Sequence, residues 1–129
     1  MTVDTLAEWH KIVTTRSASA LDSLLADDVV FHSPVVYTPQ VGKAITGRYL
    51  TAAFHVFFNP SFRYSRECRE ANGAILEFEV DIDGIHVNGV DMIRWHADGK
   101  INEFKVMIRP LKAVHLIQEK MAAILAKHQ

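Results

Sequence analysis

Three of the four Asn-Gly or Asp-Gly pairs in the second half of the chain limit its possible folds more than any other feature. They are Asn72-Gly73, Asp83-Gly84 and Asp98-Gly99, and each separates runs of alternating or β-rich residues. Asn-Gly and Asp-Gly accommodate the positive φ angles that a two-residue hairpin turn requires. The sequence therefore predicts an antiparallel meander of four strands, with predicted bounds at 62–71, 74–82, 85–96 and 100–109.

Alternation along these strands predicts one apolar face, and Asp91 falls on it. Successive side chains of a strand point to opposite faces. The apolar set contains Leu76, Phe78, Val80, Ile82, Ile93, Trp95, Phe104, Val106 and Ile108. Because Asp91 lies two residues before Ile93, it shares that face. A buried carboxylate must be paired, hydrogen-bonded or protonated. Two interpretations follow: Asp91 is a functional acid with a raised pKa, or it is a structural acid bonded to Trp9, Tyr49 or a backbone amide.

The first third of the chain predicts two helices and a strand. Thr5-x-x-Glu8 has the spacing of a capping box. Ser19 has the position of a cap for a second short helix, which Asp27-Asp28 would end. A strand is predicted over 29–33, and it stops at Pro34 because proline cannot donate a ladder hydrogen bond.

Two further helices are predicted from apolar residues at helical spacing. One begins at Gly42, after a loop over 35–41, and ends at Asn59-Pro60; the other follows Pro110. Helices segregated against a mostly antiparallel sheet define an α+β fold, here one domain over 1–129. The helices should cover the apolar face and leave a concave, cone-shaped space for a ligand. Asn88-Gly89 suggests either a β-bulge or a twist in the third meander strand.

Composition and charge limit the binding partners and the cell compartment that we expect for this chain. The chain has 14 basic and 15 acidic residues, a net charge of −1, and no long basic run. Nucleic acid and an anionic membrane surface are therefore not expected as partners. The single cysteine, Cys68, fits a reducing cytoplasm. The first eleven residues do not resemble a signal peptide, and no apolar run has membrane length.

Two segments carry a resemblance to a known family. They are the run 26–35, Ala-Asp-Asp-Val-Val-Phe-His-Ser-Pro-Val, with its loop to Gly42, and the run 89–95, Gly-Val-Asp-Met-Ile-Arg-Trp, followed by Asp98-Gly99-Lys100-Ile101. The chain resembles SnoaL-like and ketosteroid isomerase-like members of the nuclear transport factor 2-like superfamily. The resemblance implies a cystatin-like curved sheet wrapped around N-terminal helices, with the last helix as an addition. This fold serves enzymes, binding proteins and structural modules.

The ketosteroid isomerase site does not transfer completely to this chain. In that family a base Asp precedes a proline, a Tyr lies on the first helix, and a protonated Asp lies on a middle strand. By position these roles fall on Ser33, Trp9 and Asp91. Ser33 has no carboxylate to move a proton, and Trp9 can only donate a hydrogen bond. The family isomerisation is therefore not expected, whereas binding of a flat apolar molecule with one or two polar atoms is.

Three residues are catalytic candidates: Asp91, His32 and Ser33. His32 and Ser33 should face opposite sides of their strand, but a register shifted by one would bring His32 into the pocket as a general base. Tyr37, in the loop after Pro34, is positioned to cover the pocket and donate a hydrogen bond. The predicted ligand-binding residues are Trp9, Ser33, Tyr37, Tyr49, Phe54, Phe58, Phe78, Val80, Asp91, Ile93, Trp95, Phe104, Val106 and Ile108. No histidine has metal-ligand spacing, so neither a metal nor another cofactor is predicted.

Two partners are expected, an apolar small molecule and a second copy of the chain. The resemblance implies a homodimer through the outer sheet face, where Val90 and Met92 add apolar area to a charged surface. Three functions follow: a cofactor-free isomerase, cyclase, dehydratase or hydrolase that uses Asp91; a non-catalytic binding module; or a structural dimer. A second titratable group near Asp91 would favour catalysis, and a filled cavity would favour the structural role.

Overall fold

The computed structural model describes residues 4–127, which form four helices and six strands. The elements are α1 (Thr5–Thr15), α2 (Ala18–Leu24), β1 (Leu25–His32), β2 (Gln40–Val41), α3 (Lys43–Phe57), β3 (Arg63–Glu70), β4 (Gly73–Ile82), β5 (Ile85–Trp95), β6 (Ile101–Arg109) and α4 (Leu111–Lys127). Each end of the four predicted meander strands lies within one residue of the observed end. The hairpin signals therefore gave the correct order and bounds.

The strands form a single curved sheet in the order β2-β1-β6-β5-β4-β3. β1 runs parallel to β6, and all other neighbours are antiparallel. The inward face is buried as predicted: Leu76, Phe78 and Val80 of β4 are at most 2% exposed. Trp9 of α1 and Phe54 of α3 pack into the same core. The α+β class and the helix-covered apolar face are thus confirmed.

The caps of the first two helices differ from those predicted. Asp4, not Thr5, caps α1, and its carboxylate accepts the Ala7 N–H at 3.0 Å. Thr5 is instead buried and donates its hydroxyl to the Gly99 carbonyl at 2.6 Å, so it ties α1 to the sheet. Ser17, not Ser19, caps α2. In both cases closely spaced Asp, Ser or Thr residues satisfy the same local pattern. At α1 the contact with the Gly99 carbonyl draws the Thr5 hydroxyl away from the cap.

Asp27 and Asp28 lie inside β1 rather than ending α2. Acidic residues are depleted in strands, which made them read as a helix end. The pairing of β1 with β6 is irregular between Leu25 and Val30, and both acids are exposed there. The loop predicted over 35–41 also contains β2, which pairs Val41 with Val30.

Gly89 does not form a β-bulge. Its pairing with Phe78 on β4 and Ile108 on β6 continues without a register shift. A Cβ at Gly89 would lie 2.5 Å from Phe78 Cζ and 2.6 Å from the Met107 carbonyl oxygen. Glycine is required here because the Phe78 ring lies directly against the backbone.

The last helix closes one end of the cone. Ala113, Ile117 and Met121 are its buried residues, whereas Leu111, at its first position, is 70% exposed. Within residues 4–127, no helix is long and apolar enough to cross a membrane.

Candidate functional site

The cone encloses a cavity of about 50 Å³ between the sheet, α1, α3 and α4. Its walls are mostly aromatic and aliphatic. Of the predicted ligand-binding residues, those that line the cavity are Trp9, Ser33, Phe54, Phe58, Phe78, Asp91, Phe104 and Val106. The other lining residues are Phe31, Pro34, Val35, Leu50, Ala53, Phe57, Phe62, Tyr64, Ile117 and Met121.

Asp91 is the ionisable carboxyl of this cavity. β5 holds it between Leu76 of β4 and Val106 of β6, and only 7% of its surface is exposed. Burial raises the pKa of Asp91 from 3.8 to about 7, because the charged form loses its hydration. A hydrogen bond from Tyr64 acts in the opposite direction and is the smaller effect.

Tyr64 and Trp9 form a hydrogen-bonded chain that ends at Asp91. The Tyr64 hydroxyl donates to Asp91 Oδ2 at 2.6 Å, and Trp9 Nε1 donates to the Tyr64 oxygen at 3.0 Å. Because an indole N–H can only donate, the Tyr64 oxygen accepts from Trp9 and its own proton points to Asp91. Burial, together with the nearby Asp91, raises the pKa of Tyr64 well above its ordinary value. Tyr64 therefore stays protonated.

The second carboxyl oxygen of Asp91 is free to meet a ligand. Oδ1 has no hydrogen-bond partner in the described part of the chain, and Asp91 lines the cavity. Oδ1 is also not sealed from the cavity: within residues 4–127, the one fully buried side-chain polar atom without a partner is Asn102 Oδ1. A protonated Asp91 can thus donate from Oδ1, and an ionised Asp91 can accept there.

Tyr64 is the polar residue of the site that the sequence did not identify. β3 reads Arg-Tyr-Ser-Arg-Glu-Cys-Arg-Glu, and this charged and polar composition gave no indication that one of its residues lines the pocket. The available signal was the alternation of Phe62 and Tyr64 just before the charged run. A register shift between Tyr64 and Arg66 interrupts that alternation, which concealed it.

Ser33 and His32 lie on opposite sides of the chain. Ser33 lines the cavity, and its Oγ accepts the Val35 N–H at 3.1 Å. His32 lies on the outer side, with Nε2 4.0 Å from Glu103 Oε2. The possibility that His32 enters the pocket is therefore wrong, because Phe31 takes the inward position on β1 and is 2% exposed.

Six further predicted residues do not line the cavity. Tyr37 is fully exposed and covers nothing, because the loop after Pro34 turns it into solvent. Tyr49 packs on Phe31 with ring centroids 5.5 Å apart. The remaining four fill the core on either side of the cavity: Ile93 and Trp95 towards α1, Val80 and Ile108 towards α4. Sharing the inward face was not sufficient, because the cavity is lined by other residues of that face, including Asp91, Phe104 and Val106.

Potential metal ligands are not gathered near Asp91. Across residues 4–127, no group of three or more His, Cys, Asp or Glu side chains is placed to hold a metal ion. Among the side chains that line the cavity, the polar ones are Asp91, Tyr64, Trp9 and Ser33. These four side chains can form hydrogen bonds, and Asp91 can also exchange a proton.

Comparison with known proteins identifies the family. The SnoaL-like domain model matches residues 6–104. A crystal structure of a steroid delta-isomerase from Pseudomonas aeruginosa superposes with a TM-score of 0.90 at 36% identity, covering 96% of this chain and 90% of that one. An uncharacterized bacterial protein with a cystatin-like fold from Silicibacter pomeroyi has a TM-score of 0.85 at 32% identity, with coverage of 93% and 84%.

A more distant structure is similar to this chain in fold only. A putative SnoaL-like polyketide cyclase from Shewanella denitrificans has a TM-score of 0.67 at 12% identity and covers 89% of this chain and 95% of that one. None of the curated proteins compared with the chain is significantly similar to it. The family model and the two structures above 30% identity agree, and the chain belongs to the SnoaL-like domain family of the nuclear transport factor 2-like superfamily.

Proposed function

We propose that the protein binds an apolar small molecule bearing a carbonyl or hydroxyl oxygen and that Asp91 transfers a proton to or from it without a cofactor. The observation that carries the proposal is the free Oδ1 of Asp91 in an otherwise apolar cavity. A pKa of about 7 leaves Asp91 divided between its two protonation states near neutral pH. That balance suits a group that both gives and takes a proton.

The neighbours of Asp91 support both of its protonation states. When Asp91 is ionised, the Tyr64 hydroxyl stabilises Oδ2, and the Trp9 N–H stabilises the Tyr64 oxygen. When Asp91 is protonated, Oδ1 can donate to a ligand oxygen. The ionised carboxylate can remove a proton from the carbon beside a ligand carbonyl, and the carboxylic acid formed in this way can return that proton at another atom. This step is shared by enolisation, isomerisation and aldol-type cyclisation.

The related steroid delta-isomerase supports a cyclic ketone as the ligand class. The known two-acid isomerase site is nevertheless incomplete here, because Ser33 occupies the position of the base. No second carboxylate or histidine lines the cavity within the described residues. We therefore assign the proton transfer to Asp91 alone.

Ligand entry requires the aromatic wall to move. A cavity of about 50 Å³ has room for a few water molecules, whereas ligand sites typically measure roughly 300–1,000 Å³. Phe58 and Phe62 contact each other with centroids 4.9 Å apart, and both are only partly buried. Rotation of these two rings would widen the cavity on the side of Tyr64.

Hydrogen–deuterium exchange at carbon tests this proposal without knowledge of the natural substrate. A panel of cyclic ketones, from cyclohexanone to a 3-ketosteroid, is incubated with the protein in D2O near neutral pD and followed by proton NMR. The wild type should accelerate exchange beside the carbonyl of at least one ketone. Asp27→Asn, which changes an exposed acid, should match the wild type, and Asp91→Asn should lose the acceleration while retaining ketone-induced thermal stabilisation. Full exchange by Asp91→Asn would refute the assignment.

A non-catalytic binding module is the second candidate. The replacement of the base by Ser33 favours it, since Ser33 offers a hydrogen bond but no proton shuttle. Its signature is a ketone that stabilises the wild type in thermal-shift measurements yet shows no accelerated exchange. The same samples therefore distinguish a catalytic protein from a non-catalytic binding module.

We further propose a homodimer through the outer sheet face. Ile75 and Met107 are 39% and 52% exposed on that face, and Val90 and Met92 between them are half-buried. Four apolar side chains on adjacent strands give a patch that a second copy would cover with the same residues. The free and exposed Cys68 supports residence in the reducing cytoplasm, which cell fractionation would test.

A further inference from the structure

A second concavity lies on the outside of the molecule, between α2, α3 and the end of α4. It measures about 380 Å³, within the range of small-molecule sites. Its lining residues are Ala18, Leu21, Asp22, Lys43, Ala44, Gly47, Arg48, Thr51, Ala52, His55, Ile124 and Leu125, here called the α3 groove. None of them lines the interior cavity. The α3 groove is therefore a separate place to bind a ligand.

Gly47 forms part of the floor of the α3 groove. It lies in the interior of α3, where glycine is among the least favourable residues. No close approach requires it, because a Cβ at Gly47 would have no heavy atom within 4 Å. Its φ is also outside the left-handed region that favours glycine. The missing side chain keeps a space open that the described residues do not fill.

The rim of the α3 groove is cationic. Lys43 forms an ion pair with Asp22 at 3.6 Å, and Asp22 is the one acid among the described residues that line the groove. Arg48 has no hydrogen-bond or ion-pair partner anywhere in residues 4–127. A guanidinium without a protein partner is well suited to a carboxylate, which it can bind through two parallel hydrogen bonds.

The α3 groove is elongated and has aliphatic side chains among its walls. Leu21, Ile124 and Leu125 form its aliphatic walls. From Lys43 to His55 the groove follows α3 for twelve residues, or about 18 Å at 1.5 Å per residue. The shape and charge together match a molecule with an anionic head and a single unbranched apolar chain.

We propose that the α3 groove binds a free medium-chain carboxylate. Its carboxylate lies on Arg48, and its chain runs over Gly47 between Leu21 and Leu125. This site is independent of Asp91 and of the chemistry assigned to the interior cavity.

Titration with octanoate tests the site, with 1-octanol as the uncharged analogue of the same chain length. Amide resonances of Gly47, Arg48 and Thr51 should shift with octanoate in proton–nitrogen NMR spectra. Arg48→Gln should weaken octanoate binding roughly threefold to tenfold and leave octanol binding nearly unchanged. Lys112→Gln, on an exposed position of α4, is the matched control and should bind octanoate as the wild type does.

Two further variants fill the groove without changing its charge. Gly47→Phe and Ala44→Trp should each abolish binding, whereas Gly47→Ala should retain it; the second blocking variant serves if the first does not fold. Asp91→Asn should bind octanoate normally. Binding that survives both blocking variants, or that disappears in Asp91→Asn, would overturn the proposal. So would binding to phosphatidylglycerol vesicles without binding of monomeric octanoate, or no octanoate binding at all.

Discussion

The Tyr64 hydroxyl reaches Asp91 Oδ2 at 2.6 Å although their strands, β3 and β5, are not neighbours. β4 lies between them, so the bond passes over the concave face of the sheet. Curvature of the sheet and the aromatic side chain of Tyr64 make this contact possible. The Tyr64–Asp91 hydrogen bond therefore depends on the curvature of the sheet, and it also affects the pKa of Asp91.

Replacing Asp91 by Asn should remove a pH-dependent penalty from the folded state. The pKa of Asp91 is raised from 3.8 to about 7 on folding. Below pH 3.8 Asp91 is protonated in both the folded and the unfolded state, so it does not oppose folding. As the pH rises from there through 7, ionisation favours the unfolded state, and the free energy of unfolding falls. The wild type should therefore lose on the order of 4 kcal/mol relative to Asp91→Asn between pH 4 and pH 8.

Urea denaturation of both proteins across this pH range measures the difference. The difference between the two proteins cancels the contributions that other titrating groups make to the pH dependence of stability. One such group is Glu79, whose pKa is lowered by the hydrogen bond from His86. Asp27→Asn is the control and should follow the wild type. Parallel stability curves for the wild type and Asp91→Asn would contradict a raised pKa.

Replacing Tyr64 by Phe should raise the pKa of Asp91 further and destabilise the fold. The lost hydrogen bond is the contact that lowers the pKa of Asp91, and burial would then act unopposed. The Trp9 N–H also loses its acceptor. An unsatisfied buried donor costs about 1–3 kcal/mol.

Carbon-13 NMR of the Asp91 carboxyl measures the pKa shift, and urea denaturation measures the loss of stability. Tyr37→Phe removes the hydroxyl of a fully exposed tyrosine and should change neither quantity. If Tyr64→Phe left the pKa of Asp91 at its wild-type value, Oδ2 would have another partner.

The fold was predictable because its signals are local. Three Xaa-Gly turns and strict alternation fixed the meander, and Asp91 stood out within it. The errors arose where several residues satisfied one rule. Thr5 and Asp4 both fit a helix cap, and only the distant Gly99 carbonyl decides between them. Two consecutive acids, Asp27 and Asp28, indicate a helix end rather than a strand. The irregular pairing of β1 with β6 places both of them in a strand, where they are exposed.

The site was only partly predictable because its dimensions depend on packing between distant elements. Alternation placed Ile93 and Trp95 on the face of Asp91, but it could not show that α1 covers them. The contact of Tyr64 with Asp91 spans 27 positions and skips one strand. No spacing in the sequence encodes such a contact. The distance between the strands and the length of the side chain determine it.

Two glycine-to-alanine variants should have opposite effects on stability. At Gly89 the new methyl group would overlap the Phe78 ring and the Met107 carbonyl, and such overpacking costs about 1–3 kcal/mol. At Gly47 the methyl group enters open space in a helix, where alanine is favoured by roughly 1 kcal/mol. Urea denaturation should therefore place Gly89→Ala below the wild type and Gly47→Ala above it. Equal stabilities for the two variants would contradict these contacts.

Replacing Met107 by Asp should dissociate the proposed homodimer. Met107 is 52% exposed near Val90 on the outer sheet face, and in a two-fold dimer each copy would bring its new carboxylate into the shared interface. Burying two unpaired like charges costs several kcal/mol. Sedimentation velocity should show a dimer for the wild type and a monomer for Met107→Asp. Leu111→Asp, at a residue 70% exposed on α4, is the matched control and should remain dimeric. A monomeric wild type, or a dimer that survives Met107→Asp, would exclude this face as the interface.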